Sequence, residues 1–163
     1  MTTPAIPLAL VCIGAAILAA LLQSEHRAEP SIDDILARLR RIDWLQFEGV
    51  IYLLLQSEGW KIEKHGGPNP DHGADLIATR SSKRMVVQCK HWASWDVPEK
   101  TIRELIGTGV IFSTTHGALY ASGTFTEPAL KLAAQQSIET VNGRQIAERI
   151  QKRWRHNLQA ILP

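Results

Sequence analysis

The chain has 163 residues, enough for one modest domain and an appendage. Hydrophobic residues make up 45% and charged residues 21%, which excludes a largely disordered chain. A net charge of +2 permits a nucleic-acid or anionic-membrane partner without demanding one.

From Met1 to Ser24 no charged side chain occurs, and residues 5–22 (AIPLALVCIGAAILAALL) are almost wholly apolar. About eighteen residues at a rise of roughly 1.5 Å just cross a hydrocarbon core. Pro4 and Pro7 stand at the start of the run, where a helix tolerates proline. A cleaved secretory signal is the competing reading. Against it, no Lys or Arg precedes the run, which also exceeds the usual signal core. A buried core helix is the third reading, and the lack of any polar face opposes it. Residues 1–24 are therefore expected to form a retained transmembrane anchor. Arg27, Arg38, Arg40 and Arg41 follow closely. The positive-inside rule then makes this a single-pass protein of the inner (cytoplasmic) membrane, with its bulk in the cytoplasm. Of the two cysteines, Cys12 lies in the expected anchor and Cys89 far beyond it. No disulfide between them is expected, and a reducing compartment fits.

Residues 23–30 (QSEHRAEP) read as a polar linker. Ser31 and Asp34 then resemble a capping box, followed by Ile32, Ile35, Leu36 and Leu39 at helical spacing. This predicts a short amphipathic helix, either on the domain or at the membrane surface, and the linker region is assigned to 25–43. Asp43 and Gln46 form a second capping signal for a helix over 44–58 that Gly59 terminates. Its expected apolar stripe is Trp44, Phe47, Ile51 and Leu55, and Glu48 lies within that stripe as an inward-facing carboxylate. Strands are predicted at 60–65 (WKIEKH), 75–80 (DLIATR) and 84–91 (RMVVQCKH). A turn-rich loop, GGPNPDHG, and a tight SSK connection separate them. A helix over 98–112, a strand over 118–122, a helix capped by Thr126 with Pro128 in its first turn, a strand over 138–141 and a helix over 144–158 complete the chain. This order describes an α/β architecture over 44–158, a mixed central sheet flanked by helices.

Side chains alternate faces along a strand. Met85, Val87, Cys89 and His91 thus share one face, expected toward the core, and Val86, Gln88 and Lys90 share the other. A lysine in such a segment is costly unless a partner or a substrate compensates it. Asp75 opens the preceding strand, so a hairpin would bring an acid, an amide oxygen and an ammonium together, with Glu48 as a second carboxylate. Such a set suits phosphodiester hydrolysis. Asp75, the Gln88 side-chain oxygen and the Cys89 backbone carbonyl are hard oxygen ligands of the kind Mg²⁺ takes. The ion would lower the pKa of a bound water and neutralise phosphate charge. Lys90 would position that water or stabilise developing charge, and no nucleophilic side chain is required.

These residues resemble a known family. Phe47-Glu48, DHGAD at 71–75 and QCK at 88–90 are similar to the catalytic core of Mrr-type (type IV) restriction endonucleases. They belong to the PD-(D/E)xK superfamily, in a branch whose motif ends in Gln-x-Lys. The likeness extends over about 44–150 and includes RELIG at 103–107 and SGTFTEPAL at 122–130. It implies a restriction-endonuclease-like fold and Mg²⁺-dependent cleavage of double-stranded DNA. It also implies Glu48, Asp75, Gln88 and Lys90 as site residues. Such enzymes usually carry a separate DNA-reading domain, where this chain has an expected anchor and linker. A homodimer is consistent with cutting both strands, since one active site cuts one strand.

Blander readings stand beside these. Glu48 could simply pair with Lys90 in an inactive site, and Asp71 could only cap its loop. His65, His72 and His91 read as loop or surface residues, and Cys89-x-His91 is too small for a zinc site. Trp92 and Trp95 could stack on bases or pack at a rim. Arg80, Lys83 and Arg84 at the hairpin tip could touch DNA phosphates, or merely solvate a turn. The alternative function is a catalytically weak or inactive DNA-binding or scaffold module at the membrane. A third option is action on RNA or single strands.

Overall fold

The computed structural model describes residues 29–65, 73–92 and 94–162. The expected anchor over 1–24 lies outside the described residues. Among those described, no helix is long and apolar enough to cross a membrane.

Helix α1 (Ile32–Leu39) begins at Ser31, whose hydroxyl accepts from the Asp34 amide while the Asp34 carboxylate accepts from the Ser31 amide. Helix α2 (Trp44–Ser57) starts the same way, with Asp43 and Gln46 exchanging bonds. Each box satisfies amides that the first turn leaves without intrahelical partners. Gly59, at φ +84°, then turns the chain out of α2. Five strands follow in one sheet: β1 (Lys61–Lys64), β2 (Leu76–Arg80), β3 (Lys83–Lys90), β4 (Gly117–Ala121) and β5 (Ile138–Val141). Their spatial order is their chain order, with β1, β2 and β3 antiparallel and β3, β4 and β5 parallel. A tight turn joins β2 to β3, whereas the parallel strands need crossovers. Helices α3 (Glu99–Ile111) and α4 (Glu127–Gln135) supply these, and α5 (Gly143–Trp154) and a short 3₁₀ turn (Leu158–Ala160) close the chain.

The sheet carries an apolar core on each face. Ile35, Leu39, Phe47, Ile51, Ile146 and Ile150 from α1, α2 and α5 meet Leu76, Met85, Val87 and Tyr120 on one side. Ile102, Leu105 and Ala129 from α3 and α4 meet Ile77, Val86 and Leu119 on the other. A sheet buried on both faces is what parallel crossovers produce.

Two expectations change here. The Val86–Gln88–Lys90 face is not an open side of the sheet, because α3 covers it at Val86. Trp44 does not join the α2 stripe: it is 67% exposed, and the buried positions are Phe47, Glu48, Val50, Ile51, Leu54 and Leu55. A first-turn residue can lie on the periodic face and still project beyond the layer it should cover. Helix α1 lies on the domain, since Ile35 and Leu39 are fully buried in the core beside α5. Accordingly, Ile35→Ala should destabilise the domain by about 2–5 kcal/mol. Denaturant unfolding reads this directly, and an unmoved transition would mean that α1 is an appendage.

Candidate active site

The hairpin builds the site. β2 and β3 pair from Arg80↔Lys83 at the turn to Leu76↔Val87, with Ser81 at φ +54° in the connection. At the open end the Val87 carbonyl accepts from the Asp75 amide at 3.1 Å. One step on, the Asp75 side chain takes over, its Oδ2 accepting from the Cys89 amide at 2.5 Å. Backbone groups of alternate β3 residues turn to opposite neighbours. The Lys90 carbonyl accepts from Ser122 beyond β4, so the Cys89 carbonyl turns the other way, toward Asp75. By the same alternation Gln88 and Lys90 project toward the α3 face, and the Cys89 thiol toward the α2 face that carries Glu48.

Glu48 and Gln88 are buried, at 7% and 6% exposure, while Asp75 and Lys90 are half-buried and reach solvent. The electrostatics of Cys89 bring the charged groups into one neighbourhood. Burial pushes its thiol well above the ordinary value, the carboxylates of Asp75 and Glu48 push it the same way, and the Lys90 ammonium opposes them. Two acids and one cation therefore act on a single sulfur, and burial together with the acids favours its neutral thiol form. Lys90 Nζ lies 5.6 Å from the Trp92 ring centroid, a cation–π arrangement that fixes where the charge sits.

Gln88 Oε1 is buried and has no hydrogen-bond partner among the described residues. Such an atom costs about 1–3 kcal/mol unless something occupies its lone pairs. Its neighbourhood is shaped by Gly73, at φ +80°. A β-carbon there would stand 3.0 Å from Thr108 Oγ1 and 3.6 Å from Gln88 Nε2, so loop, amide and α3 approach as only glycine allows. A buried amide oxygen without a donor among the described residues is the kind of ligand a hard divalent cation takes. The expected ligand set includes an amide and a main-chain oxygen. No group of three His, Cys, Asp or Glu side chains able to hold a metal occurs among the described residues.

The other predicted residues lie elsewhere. Arg80, Lys83 and Arg84 sit at the turn end of the hairpin, about six residues or roughly 20 Å along β3 from Lys90. Arg80 stacks over Trp60 and donates to the Glu58 carbonyl, and Arg84 donates to the Phe112 carbonyl. The structure does not bring these three to the site. Asp71 and His72 fall outside the described residues. His65 is exposed, edge-on to Phe112. His91 corrects its expectation as a surface residue: its ring stacks on Phe47 at 5.0 Å and its Nε2 meets the Ile42 carbonyl at 2.6 Å. It ties the start of α2 to the end of β3 and so helps to place Glu48. The sequence signal for this was its parity with Met85 and Val87. Gly73 and Thr108 were also missed as shaping residues, although the glycine of DHGAD marked a backbone position with special demands.

A mixed sheet between helix layers, with an acidic strand opening and Gln-x-Lys on the neighbouring strand, defines a restriction-endonuclease-like PD-(D/E)xK fold. Residues 39–150 match the restriction endonuclease catalytic family Mrr_cat, most of the chain, and the chain belongs to that family. No curated protein matches it significantly. Among solved structures, the DNA modification-dependent restriction endonuclease AspBHI shares the fold with a TM-score of 0.64 at 17% identity, over 83% of this chain and 39% of that one. The protein of unknown function AF1548 does so with a TM-score of 0.52 at 18% identity, over 61% of this chain and 58% of that one. The chain thus spans less than two thirds of either.

The thiol offers a check on the site's charge. In a Cys12→Ser background, iodoacetamide at pH 8 should alkylate Cys89 at least about tenfold more slowly than an unhindered thiol. Unfolding in denaturant should abolish the difference. Ordinary reactivity in the folded protein would mean that the thiol is neither buried nor held near the carboxylates.

Proposed function

We propose that the chain is an Mg²⁺-dependent endonuclease that hydrolyses phosphodiester bonds of double-stranded DNA, with Asp75, Gln88, Glu48 and Lys90 as its working residues. One observation carries the reading: the Asp75 carboxylate accepts from the Cys89 amide, and the buried side-chain oxygen of the adjacent Gln88 meets no donor among the described residues. Asp75, Gln88 Oε1 and the Cys89 carbonyl would hold the cation, and Glu48 supplies further negative charge nearby. When bound, the ion contributes Lewis acidity toward phosphate and a more acidic water. The chain's own residues do the rest. Lys90 sets a fixed positive charge where phosphate oxygens gain negative charge, which is worth most in a partly dehydrated site. Trp92 restrains that ammonium, and the neutral Cys89 takes no part in covalent chemistry.

Attachment to the inner membrane through residues 1–24 belongs to the same proposal, supported by the uncharged run and the arginines that follow it. So does a homodimer, because a single site of this kind cuts one strand. A second reading has its own observation: Gln88 is neutral, and an amide holds a cation less well than a carboxylate does. On that reading the domain binds DNA at the membrane with little or no turnover.

The purified protein should nick or cut DNA with Mg²⁺, and Lys90→Ala and Asp75→Ala should each lower the rate by at least about 100-fold. Gln88→Glu should lower the Mg²⁺ concentration needed for half-maximal rate by about tenfold or more, since it adds a charge beside the ion. If the two alanine variants cleave as well as the parent, the assigned site is wrong. DNA binding without divalent dependence or cleavage would favour the second reading.

A further inference from the structure

We propose that Trp92 and Trp95 form a stacking cleft for a nucleobase that has left its helix, so that the site favours double-stranded DNA at a locally opened stretch. This rests on the nuclease reading and names the substrate state that the same site favours. Trp95 is 75% exposed and Trp92 37%, and both line one cleft with Asp96 and Pro98. Large aromatic surface left in water on a rigid segment is the feature that needs an explanation. The segment is firmly held. The Val97 amide donates to the Thr124 carbonyl at 2.9 Å, and the Thr126 amide donates to the Val97 carbonyl at 3.1 Å. The Thr124 hydroxyl donates to the Asp96 carboxylate. Gly123 lies against the same backbone: a β-carbon there would collide with the Trp92 carbonyl oxygen and stand 2.9 Å from that of Trp95. The described backbone at Trp92 and at Trp95–Val97 therefore packs closely against the 123–126 segment.

Position and charge identify the occupant. Lys90 Nζ sits 5.6 Å from the Trp92 ring, so the cleft adjoins the group proposed to meet the scissile phosphate. Its own polar lining is the Asp96 carboxylate, which repels phosphate and accepts from N–H groups on base edges, an exocyclic amine or the N3–H of thymine. A base with its phosphate turned toward Lys90 satisfies both ends. Stacking on an indole requires a free π-face, which a paired and stacked base does not offer.

The test uses the full chain in EDTA, where binding is read without cleavage. The probes are a dT oligomer of about ten nucleotides, the same oligomer with abasic sugars, and a matching duplex. Trp95→Ala should weaken binding of the dT oligomer by about five- to a hundredfold, and more than it weakens duplex binding, while Trp95→Phe should recover most of the loss. Parent and Trp95→Ala should bind the abasic oligomer alike. Equal affinity of parent and Trp95→Ala for the dT oligomer, or an equal loss on the abasic one, would overturn the proposal. Failure of the nuclease reading appears separately, as cleavage that survives Asp75→Ala and Lys90→Ala in the presence of Mg²⁺.

Discussion

The site depends on one hydrogen bond, from the Cys89 amide to the Asp75 carboxylate. It forms where β2 has begun too late to offer that amide a ladder acceptor. An inward amide left over at a strand end costs about 1–3 kcal/mol, and a charged acceptor overcompensates it. The bond completes the hairpin, and it also fixes the plane of the carboxylate that is proposed to hold the cation. Folding and chemistry are therefore coupled at Asp75. Lys90 is half-buried, and its side chain takes no part in the ladder, so it reports on chemistry with less interference from stability.

Burial on both faces of the sheet gives the site its shape. β3 sends Gln88 and Lys90 toward α3 and sends Cys89 and His91 toward α2, so the working groups straddle a strand end and do not lie on one open surface. Glu48 approaches from the α2 side because Phe47 stacks on His91 and the Ile42 carbonyl meets the same ring. On the opposite side, Gly73, at φ +80°, stands close to the Thr108 and Gln88 side chains. Two helix layers thus border the end of β3, where Asp75 and Lys90 keep access to solvent.

Much of this was legible from local signals. The capping boxes at Ser31 and Asp43, the proline and threonine opening α4, and the hairpin across SSK each rest on a few neighbouring residues, and each forms as expected. Convergence of Asp75 with the Gln88–Lys90 strand follows from strand parity alone. What escaped depends on contacts distant in sequence. Strand parity put Val86, Gln88 and Lys90 on one face without showing what covers it, and α3 lies there. His91 looked like a strand-end residue until α2 was placed against it. The basic residues of the hairpin tip stay exposed, and two of them also make contacts that are distant in sequence, Arg80 with the Glu58 carbonyl and the Trp60 ring and Arg84 with the Phe112 carbonyl.

Gln88 is the position where stability and function diverge most clearly. A leucine there would fill similar volume, extend the apolar face that begins at Val86, and leave no polar atom short of a partner. A glutamate would bind a cation more strongly. However, it would set a third carboxylate near Glu48 and Asp75, and without a bound ion those charges repel one another in a poorly solvated place. The amide lies between these extremes. It tolerates the absence of an ion at the cost of one unmet oxygen, which on the proposed function it would offer to an ion or a substrate. A fold built only for packing has no use for that compromise, whereas the proposed site, which would have to persist both empty and loaded, does.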